Sequence, residues 1–461
     1  MNTLKKDILN FLIIFTLIIS IMLGCKTNDD ENFQATATVK PEWAEWIKNN
    51  HQKITNLDAD HSDYSDLSFL KPLLEGKRLV QLGENSHGVS EFSQAKVRLI
   101  KFLHKTMDYD IIAFESSIFE CNIAQQNINQ LSEIDLMGWS IFAVWHCEEV
   151  LKLFEYIKET QSTNRPLILA GFDVQISSSK GVYQRPEVFS NAVSILDEPY
   201  AQEILKKDRD FINNRYQDAW LIPNADAFKT FYQDLYLWFD QHLQTLINHY
   251  PQSPLLPRIL RQTAWSMGPY IDCLLAKHNL TEYYNLRDQG MAKNVEVLLN
   301  DFYKGKKIMI WAHNGHIQHH NSVIQGGGPI AAANNMGYWL SQWFDQEIYT
   351  VGLFMYEGQA ASAGRQVHDL GEYQSNSLEA ILAQTNSEYC FVNLLDRIKI
   401  PGNSWMFEYI ISTEWEDAGQ REDETIIPKD QFNGILFIRN VHPPDYLRYI
   451  GLRDPGYFQD Q

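Results

Sequence analysis

The stretch Arg78-Leu79-Val80-Gln81-Leu82-Gly83-Glu84-Asn85-Ser86-His87-Gly88 decides how the rest of the chain is read. A short apolar run stops at a glycine and delivers a carboxylate and an imidazole into a loop. A helix is expected to follow at once. Ser90 reads as its N-cap, Glu91 suits the first turn, and Phe92, Ala95, Leu99, Ile100, Leu103 and Met107 recur at helical spacing. Strand, glycine, acid and base, then helix is how an open α/β sheet builds a site beyond the carboxyl ends of its strands. Gly83 and Gly88 have the spacing of a phosphate-binding loop, but Val89-Ser90 stands where Lys-Ser/Thr belongs. Lys96 falls on the apolar face of the helix, so its ammonium must snorkel or meet a carboxylate, and the Glu84/His87 loop is the expected place. Arg98 reads as an outer, solvated residue.

The same grammar recurs along the chain. Asp110–Phe114 is a continuous apolar strand ending in Glu115, Arg165–Ala170 leads to Asp173, and Lys307–Ala312 leads to His313-Asn314-Gly315-His316. Continuous rather than alternating runs suit parallel strands covered on both faces. The runs at Tyr349–Leu353, Tyr389–Leu394 and Gly434–Ile438 complete the sheet or build a small subdomain. Between Asp173 and Leu280 no such strand occurs. Instead Phe228, Phe231, Tyr232, Leu235, Trp238, Phe239 and Leu243 sit at core-face helical spacing, as an inserted helical part would have them.

The fold class expected is therefore α/β: a three-layer core with a mostly parallel sheet, an inserted helical subdomain and a small C-terminal α/β part. Boundaries are placed at 1–24 (signal peptide), 25–45 (lipidated tether), 46–185 (core, first part), 186–285 (helical), 286–445 (core, second part) and 446–461 (tail).

Lys5 and Lys6 form a basic n-region and Ile8–Leu23 an apolar h-region too short for a comfortable span. Its end, Met22-Leu23-Gly24-Cys25, resembles a bacterial lipobox, which makes Cys25 the lipidated first residue. The expected location is thus the cell envelope, at the outer membrane, through an N-terminal lipid anchor. Losing Lys5, Lys6 and Asp7 moves the formal charge from −19 to −20; so acidic a chain excludes a nucleic-acid partner. Cys121, Cys147, Cys273 and Cys390 lack metal spacing and read as buried apolar residues, with disulfides open to an envelope protein.

Two imidazoles from strand ends, His87 and His313, with Glu84 and Glu115 beside them, supply a base, a group to fix its tautomer and a donor for an oxyanion. No Gly-x-Ser-x-Gly elbow is present, so the usual serine nucleophile is missing. A metal is the competing use of the cluster His313, His316, His319 and His320, whose spacing matches no standard zinc motif.

These pieces, in order, resemble the erythromycin esterase family: Gly83-Glu84-Asn85-Ser86-His87-Gly88, the strand ending in Glu115, Trp145 with Glu149, Gly171-Phe172-Asp173, Arg287-Asp288 with Met291, Ala292 and Asn294, and Trp311-Ala312-His313-Asn314-Gly315-His316. The resemblance implies hydrolytic opening of a macrolide lactone or another carboxylic ester, without metal or cofactor. It implies His87 as the base acting on water, Glu84 and Glu115 as essential carboxylates and His313 as the second histidine. Lys96, Trp145, His146, Asp173, Arg287 and His316 are the implied substrate-binding residues. Lys96, and His146 after Trp145, stand where arginine is common in the family, and lysine lacks arginine's planar fork. The resemblance therefore reaches ester hydrolysis more firmly than it reaches macrolides. A different reading, a haem- or metal-binding envelope lipoprotein of the same general fold, would use the 313–320 loop.

Overall fold

The computed structural model describes residues 38–178, 180–320, 324–415 and 419–448. Cys25 and the segments read above as signal peptide, most of the tether and most of the tail lie outside them. Among the described residues no helix is long and apolar enough to cross a membrane.

The strands are β1 (Gln52–Ile54), β2 (Leu79–Leu82), β3 (Tyr109–Ser117), β4 (Ile168–Asp173), β5 (Lys307–Trp311) and β6 (Gln325–Gly326). They continue with β7 (Ile348–Ala361), β8 (Val367–Asp369), β9 (Tyr389–Asn393), β10 (Ile410–Trp415), β11 (Arg421–Ile426) and β12 (Gly434–Val441). The main sheet has the order β1-β9-β12-β7-β2-β5-β3-β4, with β8 paired to β7. From β12 to β4 every pairing is parallel; β1, β8 and β9 join antiparallel. The runs at 349–353, 389–394 and 434–438 thus belong to this sheet. The small C-terminal part is a three-stranded antiparallel sheet, β10-β11-β6.

Alternation along each parallel strand feeds two cores. Leu79, Ile111, Ile308, Ile310 and Ala312 pack on one face, and Val80, Leu82, Ile112, Met309 and Trp311 on the other. One face is covered by the helices Ser90–Met107 and Glu148–Thr160, the other by Leu280–Val297, Met336–Phe344 and Leu378–Ala383. This double covering is why the strands read as continuous apolar runs. The helices Arg185–Ser194, Glu198–Asn214, Asp218–His249 and Leu256–Ala276 build a third cluster around Phe211, Phe228, Tyr232 and Phe239.

Two local readings need correction. Arg98 is buried, its guanidinium 2.6 Å from Asp66 and donating to the carbonyls of Asn56 and Asp63. The chain before β2 covers the helix face that periodicity alone leaves to solvent. The N-cap is Val89, not Ser90, whose hydroxyl donates to the buried Glu149 carboxylate. The four described cysteines are buried and unpaired as thiols.

Candidate active site

β2, β3, β4 and β5 run parallel, so Glu84, Glu115, Asp173 and His313 all emerge at one edge of the sheet. Close packing at that edge demands glycine. A Cβ on Gly83 would lie 2.0 Å from the Asn314 side-chain oxygen, and one on Gly88 would lie 1.8 Å from the Ala361 carbonyl oxygen. The Asn314 N–H donates to the Glu84 carbonyl at 2.8 Å, tying the two site loops together.

Glu84 is fully buried and saturated. Its Oε1 accepts from His87 Nδ1 at 2.7 Å and from Trp145 Nε1 at 2.8 Å, while Oε2 accepts from Lys96 Nζ at 2.6 Å. Burial alone would raise its carboxyl, but the Lys96 charge and His87 outweigh that and hold it below the ordinary range. Burial also lowers Lys96 to about 8, against the pull of Glu84. Lys96 donates to the Ala312 carbonyl at 3.2 Å and lies 4.5 Å from the Trp311 ring centre. A hydrogen bond from Nδ1 to a carboxylate fixes the His87 tautomer with its lone pair on Nε2.

His313 follows β5, and its backbone N–H donates to Glu115 Oε2 at 3.1 Å. The Gly315 N–H reaches His313 Nδ1 at 3.2 Å, which puts the ring proton on Nε2. Burial, then the neighbouring imidazoles, push His313 down to about 3, so it stays a neutral N–H donor. Its Nε2 lies 3.7 Å from Glu414 Oε2. The His87 and His313 ring centres are 5.1 Å apart.

Glu115 sits where the β3–β4 register shifts between Phe114 and Ser117, a bulge that re-aims side chains. Arg287 binds its Oε1 at 2.7 Å and Asp173 at 2.6 Å. His316 spans Asp288 at 2.8 Å and Glu115 at 3.1 Å. Burial would lower His316, but Asp288 and then Glu115 push it up to about 10, so it is an imidazolium whose Nδ1 donates to Asp288 and whose Nε2 is ion-paired with Glu115. Its 3.1 Å approach to Arg287 is therefore a contact between cations held by three carboxylates. Burial raises the Glu115 carboxyl less than His316 and Arg287 lower it, and it lies well below the carboxylate range.

These groups face a cavity of about 470 Å³. His87, Glu115, Trp145, Arg287, His313 and His316 line it; Lys96, His146 and Asp173 do not. The last three were expected to touch substrate, but Lys96 lies behind Glu84, Asp173 behind Arg287, and His146 packs on the Ile141 carbonyl at 3.3 Å. His319 points elsewhere, to the Thr350 hydroxyl at 2.6 Å. Among the described residues no group of three or more His, Cys, Asp or Glu is arranged to hold a metal ion. Sequence reasoning missed Glu414, Glu422 and Glu424, which form one wall from β10 and β11. Their signal was a two-residue period of glutamates within a charged stretch.

Residues 104–441 match the family model described as erythromycin esterase. A putative hydrolase of Bacillus subtilis (strain 168), YbfO, is 31% identical over 444 residues, spanning 89% of this chain and 94% of that one. An erythromycin esterase type II of Escherichia coli is 20% identical over 404 residues, 81% of this chain and 95% of that one. The solved structure of an erythromycin esterase mutant in an open conformation superposes with a TM-score of 0.63 at 16% identity, covering 86% of this chain and 99% of that one.

Proposed function

The chain belongs to the erythromycin esterase family of hydrolases, and from that premise we propose that it cleaves a carboxylic ester or lactone with water activated by His87. The observation that carries this reading is His87 on the cavity wall, bonded at 2.7 Å to the buried Glu84, with a neutral His313 beside it. Water gives a proton to His87 Nε2 as its oxygen bonds to the carbonyl carbon, and the carbonyl electrons move onto oxygen. The His313 Nε2–H is the donor for that oxyanion. Collapse expels the alcohol, which takes the proton back from the His87 imidazolium, and the carboxylic acid left behind releases its remaining proton to water as the carboxylate.

Glu84 holds the Nδ1 proton and faces the imidazolium as it forms, while Lys96 acts through Glu84 rather than on substrate. Glu115, saturated by Arg287, His316 and the His313 backbone, is a positioning residue in this scheme. A macrolide is one candidate substrate, and the relatives named esterases support it only by kinship. Attachment to the envelope through a lipidated Cys25 belongs to the same proposal and rests on the lipobox resemblance. The test is a panel of esters and lactones run against wild type and His87→Ala. Turnover by wild type that falls about 10²–10⁴-fold in the variant supports water activation by His87. Equal turnover by both proteins contradicts it.

A further inference from the structure

The β10–β11 ribbon carries a feature that hydrolysis does not use. Alternate residues of a strand share a face, and the register sets Glu414 directly opposite Glu422, with Glu424 two residues along β11. All three line the cavity. Two carboxyls opposed across a ladder repel each other when both are ionised, and Ile410, Ser412 and Ile426 complete that face in the paired stretch. Arg421 lies on the other face, paired with Asp423 at 2.9 Å.

Among the described residues, the cations that line the cavity are already engaged. Lys277 meets Asp218 at 2.9 Å, and Arg287 and His316 share Glu115, Asp173 and Asp288. Glu424 takes a hydrogen bond from Gln318 at 2.9 Å, and Glu414 Oε1 takes one from Asn314 at 3.3 Å. Glu414 Oε2 has no hydrogen-bond partner, although the residue is only 9% exposed. A buried carboxylate oxygen without a partner costs free energy that a ligand can recover. Trp145, Tyr283, Tyr284 and Trp415 also line the cavity, and aromatic faces attract cations.

We propose that the Glu414–Glu422–Glu424 face is a subsite for a cationic group of the substrate, a protonated or quaternary amine carried by the ester. The carboxylates hold the amine while the carbonyl lies at His87 and His313. The reaction half of this statement rests on the hydrolase reading; the binding half does not. Burial raises the Glu414 carboxyl, Glu424 raises it further, and it stands well above the carboxylate range. Glu424 reaches about 7 through burial and then the charges of Glu379 and Glu422, opposed by its bond from Gln318. Among the described residues, no cation beside either carboxyl returns it to the ordinary range.

The experiment has a binding arm and a kinetic arm. Calorimetry compares a quaternary ammonium alcohol with its neutral carbon isostere on wild type, Glu422→Gln and Glu424→Gln. Steady-state kinetics compare the matching esters. Wild type should prefer the charged member about tenfold or more in both arms, and each variant should cut that preference several-fold, chiefly through KM. Equal affinity for the two alcohols in wild type, or a preference untouched by both variants, overturns the proposal. Stoichiometric binding of Ca²⁺ or Zn²⁺ alone, lost in the same variants, also overturns it and assigns the face to an inorganic cation. A charge preference in binding with no turnover of any ester overturns the hydrolase reading and leaves the subsite standing.

Discussion

Replacing Glu84 by glutamine separates what its charge does from what its shape does. The amide oxygen can still accept from His87 and Trp145, but the amide N–H₂ then faces the Lys96 ammonium, donor against donor. Two losses follow. Breaking a buried ion pair by removing one partner costs about 3–5 kcal/mol. Lys96 caps that loss by shedding its proton: holding a lysine neutral near pH 7 against its ordinary 10.5 costs about 5 kcal/mol. The second loss is catalytic. The imidazolium formed on His87 no longer faces an anion, and two unit charges ~4 Å apart at an effective dielectric of ~20 interact by about 4 kcal/mol. That corresponds to about 10³ in rate. Urea denaturation and ester kinetics on Glu84→Gln, Lys96→Met and the double variant read the two losses separately. The double variant should recover most of the stability and none of the rate, because methionine removes the stranded cation without restoring the anion. Full activity in the double variant, or in Glu84→Gln alone, would refute the electrostatic role given to Glu84.

Three further outcomes are expected. The His316 value of about 10 exceeds its ordinary 6.5, so its contribution to stability is complete below about 6.5 and is lost as pH rises through about 10. At most that is about 5 kcal/mol, and His316→Gln should flatten the alkaline decline of a pH series of unfolding curves. Gly83→Ala should destabilise by about 1–3 kcal/mol, because the new Cβ must displace the Asn314 side chain from its bonds to Leu353 and Glu414; thermal unfolding checks it. Intact-mass analysis of the envelope fraction should find acyl chains on Cys25 and no residues 1–24, and a mature chain starting elsewhere contradicts the lipobox reading.

What was legible in the chain follows from its physics. Continuous apolar runs ending in Glu84, Glu115, Asp173 and His313 announced parallel strands covered on both faces, and those residues emerge together at one sheet edge. The buried Lys96 was legible too, because a cation on an apolar helix face requires an anion and Glu84 is the carboxylate it meets. Its distance from the cavity was not, since periodicity gives a face and not a depth. Arg98 shows the same limit, for only the fold reveals the segment that covers it. The β10–β11 wall was hidden for another reason. A short antiparallel strand as rich in charge as β11 carries no apolar signature, and the opposition of Glu414 to Glu422 exists only once the register is known.

The pH dependence of kcat/KM on one ester, measured for wild type, His87→Ala and His313→Ala, tests water activation by His87 most directly. Activity of wild type should rise with pH as the base loses its proton. His87→Ala should lose that acid limb altogether. His313→Ala should run about 10²–10³ slower and keep the limb, as the loss of one oxyanion donor does. An acid limb that survives in His87→Ala and vanishes in His313→Ala would reverse the roles of the two histidines.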